Sequence, residues 1–184
     1  MVERRKFPPI TTFVRQETAS KRGKNTCYAT SIVNAAIALG ALGQDHAELI
    51  HQAIVDELVS NPTLWRGSEL HISTDDPRIA EIIERYLPVH IGFDSPIGRL
   101  ATVRRTFKTI NQDLLVRYQA HVITVENQHH SYAGVASQGD TIVVIDPLDP
   151  KTRLIINEEQ FYKRLGSNAQ EGVITTPVRH RVKS

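Results

Sequence analysis

Three residue types in this chain suit covalent acyl chemistry: one thiol, two adjacent imidazoles, and a carboxylate that ends a β-like run. Cys27 is the only cysteine, in Asn25-Thr26-Cys27-Tyr28-Ala29, where a small-residue apolar helix is expected to begin. A free thiol has a pKa of about 8.5, so it is a weak resting nucleophile at pH 7. Bringing it to half ionised there takes about 2 kcal/mol. A helix N-terminus offers roughly 0.3–1 kcal/mol at an exposed site and up to about 2 when partly buried. An adjacent imidazolium can supply the remainder. The imidazole candidates are His129 and His130, and the carboxylate is Asp146. Their chemistry would be attack of sulfur on a carbonyl carbon, with the imidazole moving protons.

A hairpin must position the last two. HVITVE (121–126), SYAGVAS (131–137) and TIVVID (141–146) read as strands, the latter two joined by the turn-rich Ser137-Gln138-Gly139-Asp140. With Gln138-Gly139 as turn centre, pairing sets Ser131 opposite Asp146, with His130 and Pro147 next along. The carboxylate then fixes the tautomer and orientation of the His130 ring, whose other nitrogen faces the thiol. His129 points away or caps the loop. Each residue alone also has a plain structural reading: a buried cysteine, a structural histidine, an Asp-Pro turn opener. The order Cys, His, Asp, with the last two matched across one hairpin, favours the chemical reading.

The remaining elements follow from periodicity. Residues 1–24 read as extended or looped, with Pro8-Pro9 and a polar run from Glu17 to Lys24. A first helix runs from Cys27 to about Leu42, capped by Asn25 or Thr26, and is apolar nearly all round, hence buried and central. A second spans about 44–59 on the stripe Leu49, Ile50, Ala53, Ile54, Leu58. Residues 60–74 form a loop holding Trp65. Asp76-Pro77 opens a third helix to about Leu87, and a fourth covers roughly 99–117. RLIIN (153–157) adds a strand, Asn157 to Gln160 has capping-box character before a short helix to about Leu165, and GVITTPV closes the sheet. Helices first and antiparallel strands later predict an α+β domain, a helical half packed on a sheet half with the site in the cleft between them.

Composition narrows the class. The chain has 184 residues, 40% of them hydrophobic, which suits one domain over 1–184. The net charge is only +2, and the basic groups (Arg4-Arg5-Lys6, Lys21-Arg22-Gly23-Lys24, Arg104-Arg105 and a tail over 179–184) lack interleaved aromatics. No nucleic-acid partner is expected. Neither a secretory signal nor a run of about 20 apolar residues is present, so no membrane insertion is expected. One cysteine forbids an internal disulfide and fits a reducing cytoplasm, unless a signal-independent route exports the chain. A metal set from His121, His129 and His130 lacks supporting Cys or carboxylate spacing; no metal or cofactor is expected.

Asn25-Thr-Cys27-Tyr-Ala opening an apolar helix, then His130-Ser-Tyr-Ala-Gly-Val and Ile-Val-Val-Ile-Asp146-Pro, resemble the papain-like cysteine peptidases. The closest likeness is to the bacterial branch that includes the leader-cleaving peptidase domains of bacteriocin exporters. DPLDPKTRLIINEEQFYKRLG followed by GVITTPV has the layout that this branch places after its Asp-Pro: a strand, a short helix with an acidic start, and a final strand. The likeness covers 14–42 and 119–178, but not 43–118.

The resemblance implies a papain-like fold, a Cys27 nucleophile, a His130 base, an orienting Asp146, and an oxyanion hole from a glutamine side chain and the cysteine N–H. The family usually places that glutamine about six residues before the cysteine, where this chain has Lys21. The upstream glutamine here is Gln16, eleven residues before Cys27, which reaches the site if 17–24 loops out; Asn25 is the alternative donor. A peptide or protein substrate is expected. The function expected first is a cysteine peptidase or amidase. An acyltransferase or transglutaminase-like enzyme shares the triad and differs in its acceptor. A catalytically inactive peptide- or protein-binding module is favoured only by the displaced glutamine.

Overall fold

The computed structural model describes residues 13–16, 26–67, 69–70, 76–92, 103–116, 118–125, 128–165 and 173–181. Among them are five helices, a six-stranded antiparallel sheet and a two-stranded ribbon, an α+β arrangement. No described helix is long and apolar enough to cross a membrane.

The first helix, α1 (Cys27–Ala38), buries all twelve of its residues. Its Ala-, Ile- and Val-rich surface permits contact on every side. It stops in a Schellman motif: Gly40 takes φ 71°, its N–H bonds Ile37 O, and Ala41 N–H bonds Ala36 O. Two helices back it. In α2 (Gln44–Ser60), Ala47, Ile54, Val55 and Leu58 face the core. In α3 (Pro77–Tyr86), Pro77 holds the first position, and the Asp76 side chain accepts from Arg78 N–H.

Between α2 and α3, Trp65 lies in β1 (Trp65–Arg66), paired with β2 (Glu69–Leu70), and its side chain is buried. The tryptophan therefore packs in the interior.

The main sheet runs β3 (Val89–Ile91), β8 (Val173–His180), β4 (Gln119–Val125), β5 (His130–Gln138), β6 (Thr141–Asp146), β7 (Asp149–Asn157). The final strand thus inserts between β3 and β4. The helix expected over 99–117 is α4 (Val103–Asp113), and the capping box at Asn157 and Gln160 opens α5 (Glu158–Arg164) as expected.

Three expectations need correction. The helices do not form one half beside the sheet. Ala120, Val122, Ala133, Val135, Val143 and Ile145 pack with α1 on one face. Ile123, Val125, Ile142, Val144 and Ile156 pack with Phe107, Ile110 and Phe161 of α4 and α5 on the other. Every residue of β4 is buried. Burial at every position, the polar Gln119, His121 and Thr124 included, requires cover on both faces of the strand.

The hairpin turn is the second. Gln138 pairs Thr141, so Gly139-Asp140 form the turn, with Gly139 at φ 70°. A bulge at Val135 then shifts the register, giving Ala133 opposite Ile145. Continued, this sets Tyr132 rather than Ser131 level with Asp146.

The third is the basic tail. Arg179 and His180 belong to β8 and pair with His90 and Val89, and Arg181 bonds Glu84 at 3.1 Å. Residues 182–184 lie outside the described ones, as do most of 1–24.

Candidate active site

Cys27 is the first residue of α1 and is 7% exposed. Its N-cap, Thr26, makes no side-chain cap bond. The helix N-terminus sets its partial positive charge beside the sulfur. The Sγ–H donates to the backbone oxygen of His129 at 3.8 Å. His129 itself is exposed and adopts φ 47°, a left-handed conformation that costs energy for a residue with a Cβ. That kink turns the chain from the β4–β5 connection into His130.

His130 opens β5, opposite Val125. Its Nε2 bonds Asp146 Oδ1 at 2.9 Å, and the ring also hydrogen-bonds the Cys27 side chain, for which Nδ1 is the nitrogen left. Because of the bulge, His130 reaches Asp146 diagonally across β5 and β6, a span a long side chain can cross. Burial opposes charge on this ring. Hydrogen bonds to Asp146 and Cys27, with the charges of both, outweigh it and raise the pKa to about 9. Asp146 likewise suffers burial, but its bonds from His130 and from Leu148 N–H (2.9 Å) hold its carboxyl below the ordinary value. The Tyr132 ring stands edge-on to His130, centroids 4.5 Å apart. Burial and the nearby Asp146 and Cys27 push its hydroxyl up to about 12.

Polar side chains inside α1 set the distance between sulfur and imidazole. One turn on from Cys27, Ser31 Oγ donates to Ser131 O at 2.9 Å, and Ser131 Oγ bonds Thr124 Oγ1 at 2.9 Å. This clamps α1 to β5 at the residue after His130. Two turns on, Asn34 holds Val14 through both main-chain groups, at 2.8 and 3.0 Å. The segment 13–16 then runs to the end of β6, where Gln16 N–H bonds Pro147 O at 2.8 Å and Arg15 Nε bonds Leu148 O at 3.1 Å. Gln16 is 5% exposed and lies one residue from Asp146 across that bond.

The expected site residues therefore gather at one end of the sheet. Cys27, His130 and Asp146 form a continuous contact chain, and Gln16 is docked beside it. The alternative donor Asn25 lies outside the described residues. His121 stays apart, bonded to Asp113, and among the described residues no group of three or more His, Cys, Asp or Glu is placed to hold a metal. Tyr28 is buried, its hydroxyl donating to Thr176 Oγ1 at 3.3 Å.

Sequence reasoning missed Ser31 and Asn34. The available signal was three polar residues, with Thr30, on a helix otherwise apolar: buried polar groups need partners, and partners fix geometry. A cavity of about 730 Å³ lies elsewhere, between α4, α5 and the β5–β6 turn, with Phe107, Asp140, Glu158 and Tyr162 in its wall. It shares no residue with the Cys27 group. Neither known family models nor curated proteins match this chain.

Proposed function

We propose that the chain is a papain-like cysteine peptidase or amidase that hydrolyses a peptide bond through Cys27, His130 and Asp146. The observation that carries the reading is the contact chain thiol–imidazole–carboxylate, with Nε2 of His130 on Asp146 at 2.9 Å and the Cys27 side chain on the same ring. With a pKa of about 9, the ring is imidazolium at neutral pH when it faces the sulfur. Asp146 remains ionised and holds the ring's orientation.

In the first half-reaction the Cys27 thiolate bonds to the substrate carbonyl carbon, and the carbonyl π pair moves to oxygen. The Cys27 N–H and the Gln16 side-chain amide stabilise that oxyanion, a contribution commonly worth about 10²–10³ in kcat per donor. The oxyanion collapses, the C–N bond breaks, and His130 passes its proton to the leaving amine. In the second, neutral His130 takes a proton from water as the oxygen attacks the thioester. Collapse releases the acid and restores the thiolate–imidazolium pair.

Alkylation by iodoacetamide between pH 4 and 9, with peptide-bond hydrolysis measured alongside, tests the reading. The native protein is expected to alkylate rapidly at pH 6 and to cleave peptide bonds. Cys27→Ala is expected to abolish both while leaving the unfolding free energy within about 1 kcal/mol of native. An alkylation rate that climbs only near pH 8.5, with no cleavage, would reduce the protein to a binding module. Incorporation of an amine in place of water would identify a transferase.

A further inference from the structure

Beneath the nucleophile, three buried residues make a chain of hydrogen bonds that the catalytic reading does not use. Thr30 is fully buried in α1, Thr26 is 3% exposed, and His51 of α2 is 5% exposed. The Thr26 carbonyl oxygen accepts twice from one residue: from Thr30 N–H at 3.0 Å and from Thr30 Oγ1–H at 3.0 Å. The Thr30 hydroxyl is in turn 2.9 Å from His51 Nε2. A hydroxyl has one proton, and Thr30 gives it to Thr26 O, so the bond to His51 needs Nε2–H as donor. Burial lowers the His51 pKa to about 4, so the ring is neutral at working pH and carries one N–H for this purpose.

The Thr26 carbonyl and the Cys27 N–H belong to the same peptide unit, which is planar. We propose that His51 and Thr30 are positioning residues for the oxyanion hole: they lock the Thr26–Cys27 peptide plane and polarise it, so that the Cys27 N–H points outward as a strengthened donor. Two effects act together. A carbonyl held by two donors has little freedom to tilt, and tilting it would swing the N–H off the site where the oxyanion forms. Hydrogen bonds in series through His51, Thr30 and the amide also reinforce one another in a dry interior.

The inference rests on the peptidase reading, and two probes separate their failures. Iodoacetamide alkylates sulfur by displacing iodide and develops no oxyanion, so its rate reports only the thiolate–imidazolium pair. N-acetylglycinal, the smallest peptide-like aldehyde, forms a hemithioacetal with Cys27: the S–C bond forms, the carbonyl π pair moves to oxygen, and a proton from His130 or solvent neutralises it. Its affinity, read as protection against alkylation, reports the oxyanion site.

Thr30→Val keeps the shape and removes the hydroxyl. It is expected to weaken aldehyde binding about tenfold while leaving the alkylation rate at pH 6 within twofold of native, and Thr30→Ser is expected to restore affinity. His51→Leu removes only the outer donor and should weaken the aldehyde two- to threefold, which keeps the test available if Thr30→Val fails to fold. Native-like aldehyde affinity in Thr30→Val or His51→Leu, with alkylation intact, overturns the relay. Equal losses with both probes reduce it to ordinary packing and also overturn it. A native protein that neither alkylates at pH 6 nor binds the aldehyde removes the peptidase reading, and the relay with it.

Discussion

Among the described residues, two imidazoles of this sheet hydrogen-bond a carboxylate at almost the same length: 2.9 Å for His130–Asp146 and 3.0 Å for His121–Asp113. His121 sits opposite Gly134 and His130 opposite Val125, so the pairs are separated by four residues of β4, roughly 14 Å. Their settings differ. The His130 side chain is 13% exposed, at the mouth of the hairpin, and its second nitrogen meets a thiol. The His121 side chain is 1% exposed, with Gln119 beside Nε2 and no partner for Nδ1 among the described residues. A carboxylate on an imidazole is thus a common way to satisfy a buried ring. In the proposed reading it becomes chemistry where the other nitrogen faces a thiol at a helix start.

The comparison breaks most readily at His130. His130→Ala is expected to lower kcat/KM for peptide hydrolysis by about 10³–10⁴ and to abolish rapid alkylation at pH 6. Asp146→Asn, which keeps an acceptor for Nε2 but not its charge, should lower kcat/KM less, by about 10–10². Equal or reversed effects would mean that the two roles are misassigned.

His121→Asn should do the opposite of His130→Ala. Alkylation and hydrolysis are expected to stay native, while urea unfolding registers a loss of about 1–3 kcal/mol for the broken buried hydrogen bonds. A loss of alkylation comparable to that in His130→Ala would erase the distinction between the two pairs.

The smallest effect is the pH dependence of stability. For His130 the folded pKa, about 9, lies above the ordinary 6.5, so the native state binds the proton more tightly. Its stabilisation is complete below pH 6.5 and is lost as pH rises through 9. His51 runs the other way: at about 4 its folded pKa is depressed, so its contribution is present above pH 6.5 and disappears as pH falls through 4. Urea midpoints are expected to peak near pH 6.5 and decline on both sides. In His130→Ala the alkaline decline should shrink and the acid one remain. An unchanged alkaline decline would show that it has another source. The hydrolysis rate should also fall above about pH 9, where the leaving amine loses its proton donor.

Much of the secondary structure was legible because local signals agreed with one another. Asp76-Pro77 and Asn157 to Gln160 are capping patterns, and each starts a helix where it stands. Gly139 marked the hairpin, yet the register beyond it did not follow, because a bulge at Val135 is invisible to a count of paired residues. Two errors offset in part: the turn centre lay one residue later than expected, and the bulge returned half of the resulting slip. His130 and Asp146 therefore meet, but diagonally. The position of β8 between β3 and β4 left no local trace at all, since strand order depends on pairings far apart in the chain.

For the candidate site, residue types and chain order pointed to Cys27, His130 and Asp146, which the fold brings together, because a lone thiol at a helix start and a His–Asp match across one hairpin are local patterns. Tertiary structure decided the rest. It separated His130 from His121 and His129 by what each ring faces. It brought Gln16 to the end of β6 through the bond of Val14 N–H to Asn34 Oδ1 and that of Gln16 N–H to Pro147 O, contacts that span 20 and 131 residues of chain. Periodicity reports only which side of an element is apolar. Which buried polar groups satisfy one another is settled when the layers close, and here that settlement placed the imidazole against the sulfur.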